Sequence, residues 1–410
     1  MTYETRTARE AEILPWLEAL TTGFLDRPNI HKIAEQLGPY WDFTRLWATF
    51  DGDAVVGTLR SWPTELTVPG GGLVPATAIA AVTVQATHRR RGILRQMIEA
   101  EHRAARKRGE AVAILYVSEA SIYGRFGYGV AVQPCEWALD ASGTGFIGAP
   151  ATDIEFLPEA ESTADVMRTL FDQARKQWPG EIRRRDFSFR MDIGLLELEW
   201  EGPWKGWVVG HRGADGELDG YARYTAKTEW EHHQPRGKID VRDLVALNDV
   251  AYDALWRFLA EVDLVSTVRA DRRSTEERLP WLLTNRRAAE VTAVADGLWA
   301  NLLDIPAALS ARTYERPGEL VLEVIGGDPK ATRTRVRLEA GASGAAFCAV
   351  TRARPDLTIH ADALGAAYLG GSPFRNAVLP RGVEEHRAGA LDEADRLFRT
   401  ANLPRCSTFF

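Results

Sequence analysis

The chain is predicted to fold as three consecutive blocks, two of α/β class and a last one of α+β class, and three observations carry that expectation. Residues 78–128 read as an apolar strand, a short Arg/Gly loop, a long amphipathic helix, a second apolar strand and a tyrosine-bearing turn, which makes a βαβ unit with parallel strands. Residues 153–269 partly repeat the order of elements of the first 140 residues without obvious sequence identity. After residue 291, three closely spaced strands precede two helices, the pattern of an antiparallel sheet with helices on one side. At 410 residues the chain is also too long for one ordinary core.

In the first block, residues 3–7 suit a short strand. Residues 8–24 suit a helix, with Ile13, Leu14, Leu17, Leu20 and Phe24 on its apolar side and a tolerated early Pro15. A second helix over 29–38 ends at Gly38-Pro39. Leu46 to Phe50, the Asp51-Gly52-Asp53 turn and Ala54 to Leu66 make a hairpin. Residues 68–75, with Pro69 and three consecutive glycines, read as a loop before the strand at 78–85. The helix that starts near Gly92 repeats apolar positions at spacings of three and four: Ile93, Leu94, Met97, Ile98, Ala104 and Ala105. Arg103, Arg106, Lys107 and Arg108 fill its last turns before Gly109, as the helix dipole favours. Residues 111–117, AVAILYV, return as a buried strand.

The join between strand and helix, His88-Arg89-Arg90-Arg91-Gly92-Ile93, places backbone amides and a helix N-terminus just beyond a strand's carboxyl end. Unpaired N–H groups converge there and the dipole favours negative charge, while Gly92 admits close approach of phosphates. The local residues fit an ordinary βα loop with solvated arginines equally well. The loop is no Walker A, because no Gly-Lys-Ser/Thr follows, and it has one glycine where a Rossmann fingerprint needs three. It resembles the pyrophosphate loop of the GNAT acetyltransferase superfamily, Gln/Arg-x-x-Gly-x-Gly/Ala, with Arg89 and Gly92 in place and Leu94 standing where the last small residue belongs. The order of elements over residues 1 to about 140 is also that of GNAT proteins.

Asp140 to Pro150, DASGTGFIGAP, is small and polar enough for a boundary. The second block then offers a strand at 153–157, a helix at 160–177, strands at 204–211 and 217–230 around a Gly213–Gly216 turn, a strand at 239–247, a helix at 249–262 and a strand at 264–269. Its strand-to-helix junction reads Leu247-Asn248-Asp249-Val250, with neither glycine nor arginine, so a second GNAT-like domain lacking the cofactor loop is expected. The third block opens with Val291 to Leu303 and a helix at 305–313. Strands near 318–325, 333–340 and 343–351 follow, then Leu357 to Ile359, a helix at 361–370, a last helix at 387–400 and the tail NLPRCSTFF.

Composition narrows the function. Apolar residues make up 45% and charged residues 26%, with a net charge of −7, which argues against nucleic-acid binding as the main role and is compatible with an acidic pocket for cationic substrates. Cys135, Cys348 and Cys406 are too few and too scattered for a disulfide framework or a CxxC metal site. The first twenty residues lack a basic segment followed by an apolar one, and no apolar run approaches ~20 residues, so a cytoplasmic protein with no membrane association is expected.

His232-His233 has no Cys, Asp or Glu at a ligand spacing, so no metal is expected there. Gln234-Pro235-Arg236-Gly237 imitates a Gln-x-x-Gly loop, but Pro235 lacks the amide that the loop needs and the strand follows it. Arg183 to Arg185 and Arg286-Arg287 read as solvated faces or interface charges. No Gly-x-Ser-x-Gly elbow occurs, so Ser/His/Asp catalysis has no support. The segment after the second strand, Ser118-Glu119-Ala-Ser-Ile-Tyr123-Gly124-Arg-Phe126-Gly127-Tyr128-Gly129, lies at the sheet's carboxyl end, where α/β folds bind ligands. A phenol beside the cofactor loop can protonate a leaving thiolate, which makes Tyr123 a candidate acid, with Tyr116 and Tyr128 as rivals. Ser407-Thr408-Phe409-Phe410 is an unusually apolar terminus: either it packs for stability, or it docks and delivers its own carboxylate as a general base.

The HRRRG loop, the IYGRFGYG turn, the three-block layout and the aromatic terminus together resemble the Eis-type acetyltransferases ("enhanced intracellular survival") of actinobacteria, over the whole chain and most closely at 82–95 and 118–129. The resemblance implies two tandem GNAT-like domains, 1–145 with acetyl-CoA and 146–290 without a cofactor loop, then a sterol-carrier-protein-like domain at 291–410 whose tail returns to the first active site. It implies a homohexamer. It implies that Val82, Thr83 and Val84 hold the pantetheine, that Arg90, Arg91, Gly92, Ile93, Leu94 and Arg95 cradle the pyrophosphate, and that Ser118 and Glu119 close the channel. Tyr123 would be the general acid, the Phe410 carboxylate the general base, and Asp26 a negative group for the acceptor. The implied reaction is direct acetyl transfer to a primary amine of a cationic acceptor such as an aminoglycoside, a polyamine or a lysine-like amine, with no metal. Phe409, where an acidic residue is usual, would make the pocket less negative. The rival reading is a non-catalytic acyl-CoA or lipid-binding protein that uses the third domain.

Overall fold

The computed structural model describes residues 3–148, 152–199, 202–326, 332–377 and 383–410. The first unit runs β1 (Glu4–Thr7), α1 (Ile13–Gly23), α2 (Ile30–Leu37), β2 (Leu46–Asp51), β3 (Ala54–Thr67), β4 (Leu73–Val84), α3 (Ile93–Lys107), β5 (Val112–Leu115), α4 (Ala120–Tyr123) and β6 (Gly129–Val130). Asn29 caps α2 by accepting from Lys32 N at 3.2 Å, and α3 turns Ile93, Met97, Ile98 and Ala105 onto the sheet, as its periodicity predicts. β4 begins at Leu73, inside the expected loop, because the 14-residue β3 pairs with it from Thr67↔Leu73 to Gly57↔Val84.

The second unit contains β7 (Cys135–Asp140), β8 (Ile154–Leu157), α5 (Glu161–Ala174), α6 (Asp186–Asp192), β9 (Trp207–Arg212), β10 (Leu218–Lys227), the small β11 (Trp230–Glu231) and β12 (Gln234–Pro235), β13 (Gly237–Ala246), α7 (Asp249–Ala260), β14 (Val265–Arg273), α8 (Leu279–Leu282) and β15 (Ala289–Val294). The third adds β16 (Trp299–Leu302), α9 (Ile305–Ala311), β17 (Gly318–Ile325), β18 (Arg333–Ala340), β19 (Ala346–Val350), β20 (Leu357–His360), α10 (Ala361–Ala367), β21 (Glu384–Glu385) and α11 (Ala390–Phe398).

Among the described residues the first sheet has the order β1-β2-β3-β4-β5-β16-β6 and the second β8-β9-β10-β13-β14-β7-β15. Each is an antiparallel run that turns parallel at one place, β4 beside β5 and β13 beside β14. Two strands are exchanged across the expected cuts at 145 and 290. β7 precedes the second block in sequence yet pairs with β14 and β15, while β16 follows it and sits between β5 and β6. The expected single stretch from Val291 to Leu303 is thus split. Residues up to Val294 close the second sheet, Asp296-Gly297 breaks the run, and the fully buried Trp299–Leu302 enters the first.

The third sheet, β19-β18-β17-β20-β21, is antiparallel except for β17 beside β20. Its helices pack on the face of the first sheet opposite α3, so Ala76, Ala78, Val112 and Ile114 share one core with Leu309, Tyr314, Leu320, Tyr368 and Phe398. The approach is close. A Cβ on Gly129 would lie 1.9 Å from the Asp362 carbonyl oxygen, and one on Gly365 would lie 2.1 Å from that of Ala300. Within this domain the buried Arg312 guanidinium donates to the carbonyls of Tyr368 and Phe398 and lies 4.5 Å from the Tyr314 ring centre.

Candidate active site

The site begins where β4 and β5 part. Their parallel register runs from Ala76↔Val112 to Ile79↔Leu115 and stops there. Beyond it a bulge interrupts β4. Between the pairs Thr58↔Thr83 and Arg60↔Ala80 the strand carries one extra residue, and Ala81 takes a positive φ of 55°. Thr58 pins the bulge by donating its hydroxyl to Ala81 O at 2.9 Å, and Thr58 and Thr83 hydroxyls lie 3.2 Å apart. Ala80 to Val84 on one side and Tyr116 to Glu119 on the other therefore diverge, and they wall a cavity of about 1300 Å³.

The Arg/Gly loop closes one end. Gly92 has φ 80°, begins α3 with no side-chain cap, and has nothing within 4 Å of where a Cβ would stand. The first-turn amides of α3 thus face open space at the positive end of the dipole. Arg90 also takes a positive φ, 63°, and Arg89, Arg90 and Arg95 are exposed at the cavity mouth. Arg91 differs from its neighbours: its guanidinium donates to the Tyr3 hydroxyl at 2.5 Å, and it is not part of the cavity wall. Leu94 is half-buried in the wall where a smaller residue was expected. The corresponding junction of the second domain is occupied by its own chain: Asn248 caps α7 by accepting from Ala251 N at 2.9 Å. At this junction, of the two domains, the first therefore offers uncapped amides to an anion and the second does not. A splayed strand edge, an uncapped helix start and flanking arginines together fit an elongated phosphate-bearing thioester.

The three tyrosines separate clearly. Tyr123 ends α4, is buried, lines the cavity, and packs edge-on against Tyr128 with ring centres 6.1 Å apart. Burial, helped by the charge of Glu119, pushes its hydroxyl up to about 12, so it keeps its proton at neutral pH. Tyr128 is fully buried behind it, with its hydroxyl 2.7 Å from His102 Nε2, and serves packing. Tyr116 donates its hydroxyl to Thr408 O at 2.8 Å, so its proton holds the tail.

The tail docks. Phe410 reaches the cavity wall, with its ring 4.9 Å from Trp62 and 5.0 Å from Tyr116, both edge-on. The clamp is Glu181, fully buried in the second domain. Its carboxylate accepts from Ser407 N and Ser407 Oγ, each at 2.7 Å, and from Thr408 Oγ1 at 2.7 Å. Residues 180–183 lie beside the end of β3, with Thr67 N donating to Glu181 O at 2.8 Å and Arg183 N donating to Glu65 O at 3.0 Å. One short segment thus joins the first sheet to the tail.

Arg183 to Arg185 require a correction. Arg183 is exposed as expected, but Arg184 is buried. It pairs with the buried Asp243 and donates to Thr408 Oγ1 and Ser407 Oγ, each at 2.9 Å. Arg185 stacks on Trp62 at 4.5 Å and on Phe187 at 4.3 Å. A run of charges reads as solvated only while its partners, distant in sequence, are unseen.

Asp26 is exposed beyond the end of α1, accepts from Arg27 N at 2.8 Å, and is not part of the cavity wall. His232 and His233 are the two-residue turn of the β11–β12 hairpin, both exposed with positive φ. Arg286 and Arg287 are exposed. The three cysteines are free and buried, and burial pushes the Cys135 thiol up to about 11, Cys348 up to about 12, and Cys406 well above the ordinary range. Sequence reasoning missed Trp41 and Arg60 in the cavity wall and Glu181 at the tail. The alternation of β3 marks Arg60 as facing the same side as Thr58, but nothing local identifies that side as a cavity. Among the described residues no helix is long and apolar enough to cross a membrane, and no group of three or more His, Cys, Asp or Glu is placed to hold a metal.

Comparison with known proteins agrees with this architecture. Family models described as acetyltransferase (GNAT) domains match residues 4–131 and 180–298, and a sterol carrier protein domain matches residues 305–407. An uncharacterized N-acetyltransferase of Streptomyces avermitilis is 37% identical, over 99% of this chain and 98% of its own. The N-acetyltransferase Eis of Mycobacterium tuberculosis is 32% identical, over 84% of this chain and 80% of its own. The crystal structure of Eis1 from Mycobacterium abscessus superposes with a TM-score of 0.84 at 30% identity, over 99% of this chain and 100% of that one. Two acetyltransferase folds, the second with its helix start capped, and a sterol-carrier fold that sends its tail to the first recur here in one chain, which belongs to the Eis-type N-acetyltransferases of the GNAT superfamily.

Proposed function

We propose that this N-acetyltransferase moves the acetyl group of acetyl-CoA directly onto a primary amine, with Tyr123 as general acid and the Phe410 carboxylate as general base. The observation that carries the reading is the convergence of Tyr123 and the chain's last residue on one cavity, at the point where β4 and β5 separate. Acetyl-CoA supplies an activated acyl carbon and a thiolate leaving group. The residues at 82–84 present strand edge to its pantetheine arm, the amides from Arg90 to Arg95 and the arginines around them receive its pyrophosphate, and Ser118 and Glu119 border the channel. Arg91 lies behind this cradle and steadies it through Tyr3.

The chemistry needs a neutral nucleophile at one end and a proton at the other. The acceptor's ammonium leaves one proton to solvent, and the neutral nitrogen's lone pair forms the N–C bond as the Phe410 carboxylate takes the second proton from that nitrogen. The C–S bond breaks, Tyr123 gives its proton to the departing sulfur, and the proton on Phe410 restores Tyr123. Backbone N–H groups of the bulged strand polarise the thioester carbonyl. The high thiol pKa values of the buried cysteines support direct transfer over an acyl-enzyme. The resemblance carries two further readings: a cationic acceptor, to which the exposed position of Asp26 lends nothing, and a hexamer. Self-association draws support from the exposed Phe347 and Val350 on edge strand β19, and sedimentation velocity tests it.

The testing experiment is thiol release from acetyl-CoA over an amine library, with the full chain and a variant lacking Phe410. Turnover by the full chain and its loss in the folded deletion variant are expected. Equal turnover in both removes Phe410 from the chemistry, and no turnover with any amine overturns the reading.

A further inference from the structure

The acceptor end of the cavity, between α1, Trp41, β3 and Phe410, carries one ionisable side chain, the guanidinium of Arg60, beside the unpartnered indole N–H of Trp41. It sits 5.7 Å from the Trp41 ring centre and 5.2 Å from that of Trp62. Its Nε is fully buried and has no hydrogen-bond partner. Among the described residues no ion pair reaches it, the terminal carboxylate included. Two acidic side chains border the cavity, and both are otherwise disposed: Glu119 stands by Tyr123, and Asp296 accepts from Trp299 Nε1 at 2.9 Å.

Arg185 also lies against Trp62, 4.5 Å from its ring centre. Burial pulls Arg60 down to about 10 with no acidic group offsetting it. Arg185 falls to about 9, through burial and then the charge of Arg60 itself. Both remain cations at neutral pH. Two neighbouring, partly buried cations without an ion-pair partner are costly, and aromatic faces recover only part of the loss. An anion entering the cavity would supply a partner that the fold does not place within ion-pair distance of Arg60.

We propose that Arg60 binds an anionic group of the acceptor, so that the preferred substrate is a primary amine carrying a carboxylate, or a phosphonate of like charge, on an apolar frame. This rests on the acetyl-transfer reading above. The apolar walls of Trp16, Leu20 and Phe24 take the frame, the planar fork of Arg60 takes the anion, and the amine is left to face Phe410. A polycation meets like charge at this place.

The experiment compares kcat/KM by thiol release for matched acceptors: apolar amino acids, their aminophosphonate analogues, their neutral amides, and diamines of similar length. The full-length wild type, Arg60→Gln and Arg60→Lys are used, with acetyl-CoA binding and thermal melting reporting on the fold. The expected result is a preference of at least tenfold for the anionic acceptors in the wild type. Arg60→Gln erases it while turnover of the amides persists, and Arg60→Lys keeps part of it. Equal or better turnover of diamines or amides by the wild type overturns the inference and leaves acetyl transfer standing, as does a preference that Arg60→Gln does not change. Absence of turnover with every acceptor overturns both.

Discussion

Thr408 donates its hydroxyl to the buried carboxylate of Glu181 at 2.7 Å, and that bond ties the terminus of the third domain to a segment of the second at the edge of the first. Glu181→Gln removes the charge and one acceptor edge from a set of bonds to Ser407 and Thr408. Charge-assisted bonds of this kind contribute about 1.5–3 kcal/mol each. The variant is expected to fold, to lose at least tenfold in kcat, and to release Phe410 to carboxypeptidase faster than wild type. Unchanged kcat with an equally protected tail contradicts the clamp.

Tyr123→Phe tests the acid. Loss of a positioned proton donor costs about 10²- to 10⁴-fold in rate, so kcat is expected to fall in that range with little change in KM for acetyl-CoA. Because the hydroxyl is pushed up to about 12, it stays protonated through neutral and mildly alkaline pH, and the wild-type pH–rate profile is expected to show no loss from this group below that value. A pH titration of kcat checks it.

His102 makes stability fall with acid. Burial, and then the charges of Arg106 and Arg103, pull its imidazole down to about 3, and it accepts the Tyr128 hydroxyl in its neutral form. Its folded pKa lies below the unfolded one, so between about 6.5 and 3 the unfolded chain binds a proton that the folded chain does not. Stability is therefore lost as pH drops through that window, by at most about 1.4 kcal/mol per unit from this group. His102→Gln keeps an acceptor for Tyr128 and is expected to flatten this part of the denaturant-derived stability curve.

Gly129→Ala drives a methyl group to 1.9 Å from the Asp362 carbonyl, and backbone cannot yield as a flexible side chain does. A loss of more than about 3 kcal/mol is expected, the range of overpacked or strained cores. Gly92→Ala meets no atom within 4 Å, and its strain comes from φ 80° alone, so a loss of about 1 kcal/mol is expected. Thermal melting of the pair separates the two causes.

The βαβ unit was legible because its signals are local. The glycine at 92 and the stripe of Ile93, Met97 and Ile98 lie within one crossover, and the turn to Tyr123 directly follows its second strand. The start of β4 at Leu73 was not, since a strand can be drawn out by a long partner whatever its own turn residues. Arg184 was misread because Asp243 stands 59 residues away and nothing in a run of three arginines announces it. Arg91 and Asp26 carry the right residue types at the right places in the chain, yet neither side chain turns into the cavity. The tail's apolar character was visible, but its address was not: Glu181 is one acidic residue among 57 until the fold brings Ser407 to it.

β16 has a consequence for how the molecule is made. The slot between β5 and β6 stays vacant while the ribosome delivers the whole second domain, and it is filled only when residues 299–302 emerge. Until then the nascent first sheet carries bare hydrogen-bonding edges on two of its strands, the kind of surface that pairs with the wrong chain. A polypeptide that stops short of β16 lacks its terminal carboxylate and is also left with an unfinished sheet. The first sheet is therefore completed only after the second, from residues that the chain delivers 184 positions beyond β5.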